Sequence, residues 1–243
     1  MARARARHVQ QEIAFPTHGG KRPGAGRPPK GRRSSERHKR RSAHDPRHPA
    51  HVTIRVVPEA GALRRRDAFH AIRWATLTTA KREDSHIVHL SIQRTHMHLI
   101  VEARSRAALS RGMQGFQISA AKHLNAAIGA RTGTKRTGGV FFDRFHARAL
   151  TSPRAVRHAL AYVMNNWRRH HEDRAAFART WKLDPYSTAI DFPGWMELGD
   201  SPFLFQPPRS YDALIVWLPK TWLLRESWRR HGPISVHDIP GSR

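Results

Sequence analysis

The 243 residues carry 44 Lys and Arg against 18 Asp and Glu, a formal net charge of +26 before any of the 18 histidines is protonated. A field of that size attracts polyanions, and nucleic acid is the polyanion that basic proteins most often meet. Cysteine is absent, which excludes disulfides, thiolate metal sites and cysteine catalysis and fits a reducing compartment, while no apolar run approaches the roughly 20 residues that a membrane span needs.

The expected partner is therefore DNA rather than a membrane. The expected location is the cytoplasm, at the nucleoid, because the Arg-rich start lacks the apolar stretch of a secretory signal. Residues 1–48 read as a disordered basic tail. Segments such as ARARAR and KRPGAGRPPKGRRSSERHKRR offer too few large apolar side chains to offset the entropy of ordering them. Gly26-Arg27-Pro28 matches the core of an AT-hook, whose arginine lies in the narrow minor groove of A·T-rich DNA. Arg27 is thus a candidate DNA contact, beside the alternative of a solvated tail drawn to phosphate without specificity.

From His51 the pattern changes. HVTIRVV (51–57) alternates and is β-branched, which predicts a strand. Residues 67–80 place Phe69, Ile72, Ala75 and Thr76 at helical spacing, with Asp67 as the expected cap. HIVHLSIQ (86–93) and HMHLIVEA (96–103) predict two more strands joined tightly at Arg94-Thr95. A long helix is expected over 107–128, then a Gly- and Lys-rich loop over 133–139 and a strand over 140–150. Ser152-Pro153 opens a last helix, a hydroxyl cap followed by proline at the first helical position. This order is the split βαβ pattern of an α+β, ferredoxin-like antiparallel sheet with both crossover helices on one face. The domain boundaries expected are a tail over 1–48, a catalytic domain over 49–172 and an extension over 173–243, within which 220–231 reads as a short amphipathic helix ended by Gly232.

Chemistry concentrates on the sheet face that those helices leave free. Alternation sends Met97, Leu99 and Val101 to the covered face, and His96 and His98 to the free one. Two imidazoles about 7 Å apart along a strand can tilt onto one divalent cation. A pair of surface histidines in a His-rich chain is the alternative that spacing alone leaves open. Glu102 shares the face, but about 13 Å from His98 along the strand it is too far to join them. On the last helix, Val156, Leu160, Val163 and Trp167 form one apolar stripe, and His158, Tyr162, Asn166 and Arg169 a polar one. Tyr162 and Asn166, one turn apart, could meet the same phosphate. On the preceding strand Arg144, His146 and Arg148 alternate onto the free face, where arginine binds phosphate bidentately. No Walker loop, no Gly-x-Ser-x-Gly elbow and no carboxylate cluster of the two-metal type is visible.

Taken in order, SIQRTHMHLIVEA, FFDRFHARAL and AYVMNNWRRH resemble the His-hydrophobe-His strand, the intervening strand and the Tyr-x-x-Asn-Asn helix of the single-tyrosine HUH transposases, specifically the REP-associated tyrosine transposase-like group. DPYSTAIDFPGW resembles the segment that follows that helix in the group, so the resemblance runs from about His51 to Trp195. It implies an HUH-type catalytic domain whose C-terminal helix carries the tyrosine. It also implies a Mg²⁺ or Mn²⁺ ion held by His96 and His98 with Asn166 as third ligand. The implied chemistry is transesterification on single-stranded or hairpin DNA, in which Tyr162 forms a 5′-phosphotyrosine link. A homodimer partner is implied where insertion-sequence relatives deliver the tyrosine in trans, and none where REP-associated relatives act as monomers. One departure is Trp167, where the group often has proline. The alternatives are a non-catalytic basic DNA-binding protein, a replication initiator, or a relaxase, whose nucleophile usually lies near the N-terminus, where no tyrosine is found here.

Overall fold

The computed structural model describes residues 44–174, 183–199, 207 and 209–241. Arg27 and most of the expected tail lie outside the described residues. Residues 44–48, read as the end of that tail, fold back on the sheet: His44 Nε2 meets the Ala103 carbonyl at 2.8 Å, and Asp45 accepts from the Arg47 amide at 2.9 Å.

Four strands make the sheet: β1 Ala50–Arg55, β2 Ser85–Ile92, β3 His96–Ala103 and β4 His146–Ala149. Their spatial order is β2-β3-β1-β4, and every pair is antiparallel. With α1 Arg66–Ala80 between β1 and β2, and α2 Arg106–Thr132 between β3 and β4, the fold is α+β with the ferredoxin-like split βαβ arrangement. The predicted 140–150 strand is shorter than expected. Pairing is regular only at His146–Ala149, preceded by a single bridge between Val56 and Phe141. The Asp143 carboxylate takes the Arg144 amide at 2.7 Å, which diverts a donor that a continuous ladder would need. The side-chain alternation nonetheless persists, with Phe142, Arg144, His146 and Arg148 exposed and Phe145 buried.

Asp67 is not the cap of α1. Arg65 holds that position without a side-chain bond, and Asp67 pairs instead with Arg131 near the end of α2. The α2 start is capped by Ser105, which accepts from the Ala108 amide, and its end by Gly133 at φ 71°, a left-handed turn suited to glycine. Within α2, Gly112 lies against β2 so closely that an added Cβ would collide with Ser85 Oγ.

Two cores sandwich the sheet. On one face Val52, Ile54, Leu90, Met97, Leu99 and Val101 pack against Phe69, Ile72, Met113 and Phe116 of α1 and α2. On the other, Ile100 and Val88 meet α3, Pro153–Arg169, through Val156, Leu160 and Val163. A register shift between Ile87 and His89 accompanies the placing of Val88 in this second core. Both faces being covered, all eight residues of β2 are buried.

The second core is completed from late in the chain. Residues 184–188 lie along the outer edge of β2, where Ile92 donates to the Tyr186 carbonyl at 2.8 Å and Thr188 to that of Leu90 at 2.9 Å. Phe192, Trp195, Leu223, Leu224, Trp228 and Ile234 then close over α3. The amphipathic segment expected at 220–231 is a short α-helix, α4 (Trp222–Arg225), and a 3-10 turn over Ser227–His231, ending at Gly232 with φ 83°. No described helix is long and apolar enough to cross a membrane.

Candidate active site

Strand pairing decides which polar side chains share the α3 face. His98 lies opposite Thr53 on β1 and Ser91 on β2, and Thr53 lies opposite His146 on β4. One register step away, His51 lies opposite Arg148, and at the other end Arg55 lies opposite His96. Directly paired residues point to the same side, so His51, Thr53, His96, His98, His146 and Arg148 form one polar field on a sheet whose reverse is apolar.

Helix α3 supplies the tyrosine. Ser152 caps it by accepting from the Ala155 amide at 3.2 Å, with Pro153 at the first helical position. Val156, Leu160 and Val163 seat the apolar stripe on the sheet. Trp167, 1% exposed, continues the helix where the group often has proline. This seating brings the half-buried Tyr162 ring to 4.9 Å from the His98 ring and 5.7 Å from that of His51, centroid to centroid.

The two predicted histidines are neighbours, with ring centroids 4.7 Å apart and nearly perpendicular. His98 Nδ1 lies 3.2 Å from Thr53 Oγ1 and 3.3 Å from His51 Nε2. With the proton on Nδ1, that nitrogen donates to either partner and Nε2 keeps its lone pair. His98 Nε2 is buried with no hydrogen-bond partner. His96 Nδ1 lies 3.3 Å from Thr95 Oγ1, and its ring is 5.5 Å from that of His170. Burial holds His96 and His51 down to about 4; it is reinforced for His96 by His170 and Arg55, and for His51 by His146 and Arg148. Burial lowers His98 further still. At neutral pH all three imidazoles are therefore uncharged, the state in which a ring nitrogen ligates a metal.

Asn166 gives a second sign of a missing partner. Its side chain is 0% exposed, and neither Oδ1 nor Nδ2 has a hydrogen-bond partner. Leaving such a group dry and unpaired costs about 1–3 kcal/mol, and an orphaned buried polar group points to an ion, a water or a ligand. Among the described residues no group of three His, Cys, Asp or Glu is placed to hold a metal. Two neutral imidazoles and an amide oxygen are donor types that can ligate a divalent cation.

The remaining predicted residues divide. His146 and Arg148 border the site through Thr53 and His51. The Arg169 guanidinium stands 5.9 Å from the Tyr162 ring centroid and donates to the Pro240 carbonyl at 3.2 Å. Arg144 is exposed outside the regular part of β4, and His158 is exposed near the start of α3. Glu102, set aside for distance, accepts from the Lys220 and Thr221 amides at 2.7 to 3.1 Å and anchors the C-terminal segment. Sequence reasoning missed His51, Thr53 and His170. The signal for the first two was present in HVTIRVV, whose alternation puts His51, Thr53 and Arg55 on one face. His170, past the end of α3, carried none.

No family model matches the chain, and no curated protein does. Among solved structures it is similar to that of a REP-associated tyrosine transposase bound to a REP hairpin, at 16% identity over 64% of this chain and 84% of that one, with a TM-score of 0.49.

Proposed function

We propose that this chain is a metal-dependent DNA transposase, cutting and rejoining single-stranded DNA with Tyr162 as nucleophile. The observation that carries the proposal is the meeting of Tyr162 with His98 at 4.9 Å, beside a buried, unpartnered His98 Nε2 and one helical turn from a buried, unpartnered Asn166. The order of the sequence motifs points to the same chemistry.

His96, His98 and Asn166 would hold the divalent ion, which when bound polarises the phosphate and offsets its developing charge. The Tyr162 oxygen attacks phosphorus while the bond to the 3′ oxygen breaks. The phenol proton leaves to solvent or to a neighbouring base, and the departing 3′ oxygen gains one. The products are a 5′-phosphotyrosine and a free 3′-hydroxyl. A 3′-hydroxyl attacking that link restores a phosphodiester without a nucleotide cofactor. A neutral phenol is a weak nucleophile and needs this assistance.

Thr53 and His51 orient the His98 ring through Nδ1. Arg148, His146 and Arg169 border the place the phosphate would take, where a guanidinium binds it bidentately. Arg144 and Arg27 would add backbone contacts further out. The division into a basic tail, a catalytic domain over 49–172 and an extension over 173–243 belongs to the same proposal, with residues 44–48 joining the folded part, as does action at the nucleoid.

The test is a gel assay for a covalent protein–DNA adduct, using wild type and Tyr162→Phe with single-stranded hairpin DNA from the gene's own flanks, in Mn²⁺ and in EDTA. An adduct that requires both Tyr162 and the metal is expected. DNA that shifts with the protein but never links to it under any divalent ion would instead make this a basic DNA-binding protein.

A further inference from the structure

A cleft of about 570 Å³ opens beyond the end of β4, lined by Arg47, His48, Thr151, Lys220, Thr221 and Trp222 among others. Three of these side chains are basic and none of the lining residues is acidic, although Arg47 shares its charge with Asp45. Trp222 is 49% exposed, an unusual state for the largest side chain, and Arg230 lies 4.9 Å from its ring centroid. Thr221 Oγ1 is buried without a hydrogen-bond partner. Lys220 stands over Trp217 at 4.8 Å, and the main chain at 220–221 is fixed by Glu102. The C-terminal segment is thus held with an aromatic ring and a cation together in one cleft.

The location adds direction. His48 precedes His51 by three residues on the way into β1, and Thr151 follows Arg148 by three on leaving β4, while His51 and Arg148 are paired beside Tyr162. Three residues of extended chain span about 10 Å, the length of up to three stacked nucleotides. We infer that this cleft is a nucleobase subsite, in which Trp222 stacks on one base of the single strand within three nucleotides of the cut bond. Lys220 and His48 meet the adjoining phosphates. The inference rests on the strand-transfer role proposed above. Stacking of a base on an aromatic face together with cations along the backbone is the general means of holding single strands.

The experiment uses the full chain as Tyr162→Phe, which binds without cutting. Its partner is the single-stranded hairpin substrate carrying 2-aminopurine at one position at a time. Fluorescence at one position within three nucleotides of the bond that wild type cuts is expected to be quenched on binding. Adding Trp222→Ala abolishes that quench and weakens binding about fivefold or more, whereas Trp222→Phe retains both. Circular dichroism of each variant checks that it is folded. If binding persists but no quenched position depends on Trp222, the subsite is refuted and the strand-transfer role stands. If the Tyr162→Phe protein with Trp222 intact does not bind single strands at all, both fall together.

Discussion

Replacing Asn166 by leucine tests the site without any DNA. Leucine repeats the branched skeleton of asparagine, but neither branch needs a hydrogen bond. Asn166 is fully buried, with both polar atoms unpaired, so the substitution relieves a penalty of about 1–3 kcal/mol. The bulkier methyl groups return part of that. In EDTA the variant should therefore be as stable as the parent or up to about 2 kcal/mol more stable, a rise of roughly 2–4 °C per kcal/mol for a chain of this size. With Mn²⁺ the order reverses. A ligand at a hundred times its dissociation constant stabilises the parent by about 2.7 kcal/mol, and the variant, lacking one donor, gains much less. Thermal unfolding with and without metal measures both limbs. A variant more than about 1 kcal/mol less stable in EDTA would mean that the amide already has partners. An unchanged metal-induced shift would mean that Asn166 is not a ligand.

The sunken histidines predict a pH dependence. His51 and His96 titrate near 4 in the fold against 6.5 in an unfolded chain. Their share of the stability is complete above pH 6.5 and is lost as pH falls towards 4, because the unfolded state takes up protons first. His51→Gln removes one share, so urea midpoints of variant and parent should converge over that range; a constant gap refutes the assignment. Ser152→Ala takes the cap from the tyrosine helix and should cost about 1 kcal/mol by urea unfolding, with no effect if the Ala155 amide finds water instead. Arg64→Met strands the Asp184 carboxylate, which is fully buried and receives two guanidinium bonds at 2.9 and 3.0 Å. The expected loss is about 3–5 kcal/mol, and a loss below about 1 kcal/mol would show the pair to be dispensable.

Much of this was legible in local pattern because local physics produces it. Period-two alternation in HVTIRVV and HMHLIVEA marks strands with one apolar face, and Ser152-Pro153 followed by a 3.6-residue stripe marks a capped, amphipathic helix. From those alone come the order of elements, the split βαβ topology, and the placing of His96, His98 and Tyr162 on one side of the sheet. Spacing could not say which further residues join them. His51 and Thr53 reach His98 because β1 pairs with β3 in a single register, and register is set by long-range packing that no window of sequence contains. The 140–150 strand pairs regularly only at its end, and the Arg144 amide before it goes to the Asp143 carboxylate. Glu102 looked like a stray acid on the histidine face, yet it receives amides from a segment 118 residues away. Local periodicity and end signals therefore determined the elements and their chemistry-bearing faces. The closing of the C-terminal segment over α3, the unpartnered polar atoms of His98 and Asn166, and the cleft at Trp222 were decided only by tertiary structure, because each depends on contacts whose partners are far apart in the chain.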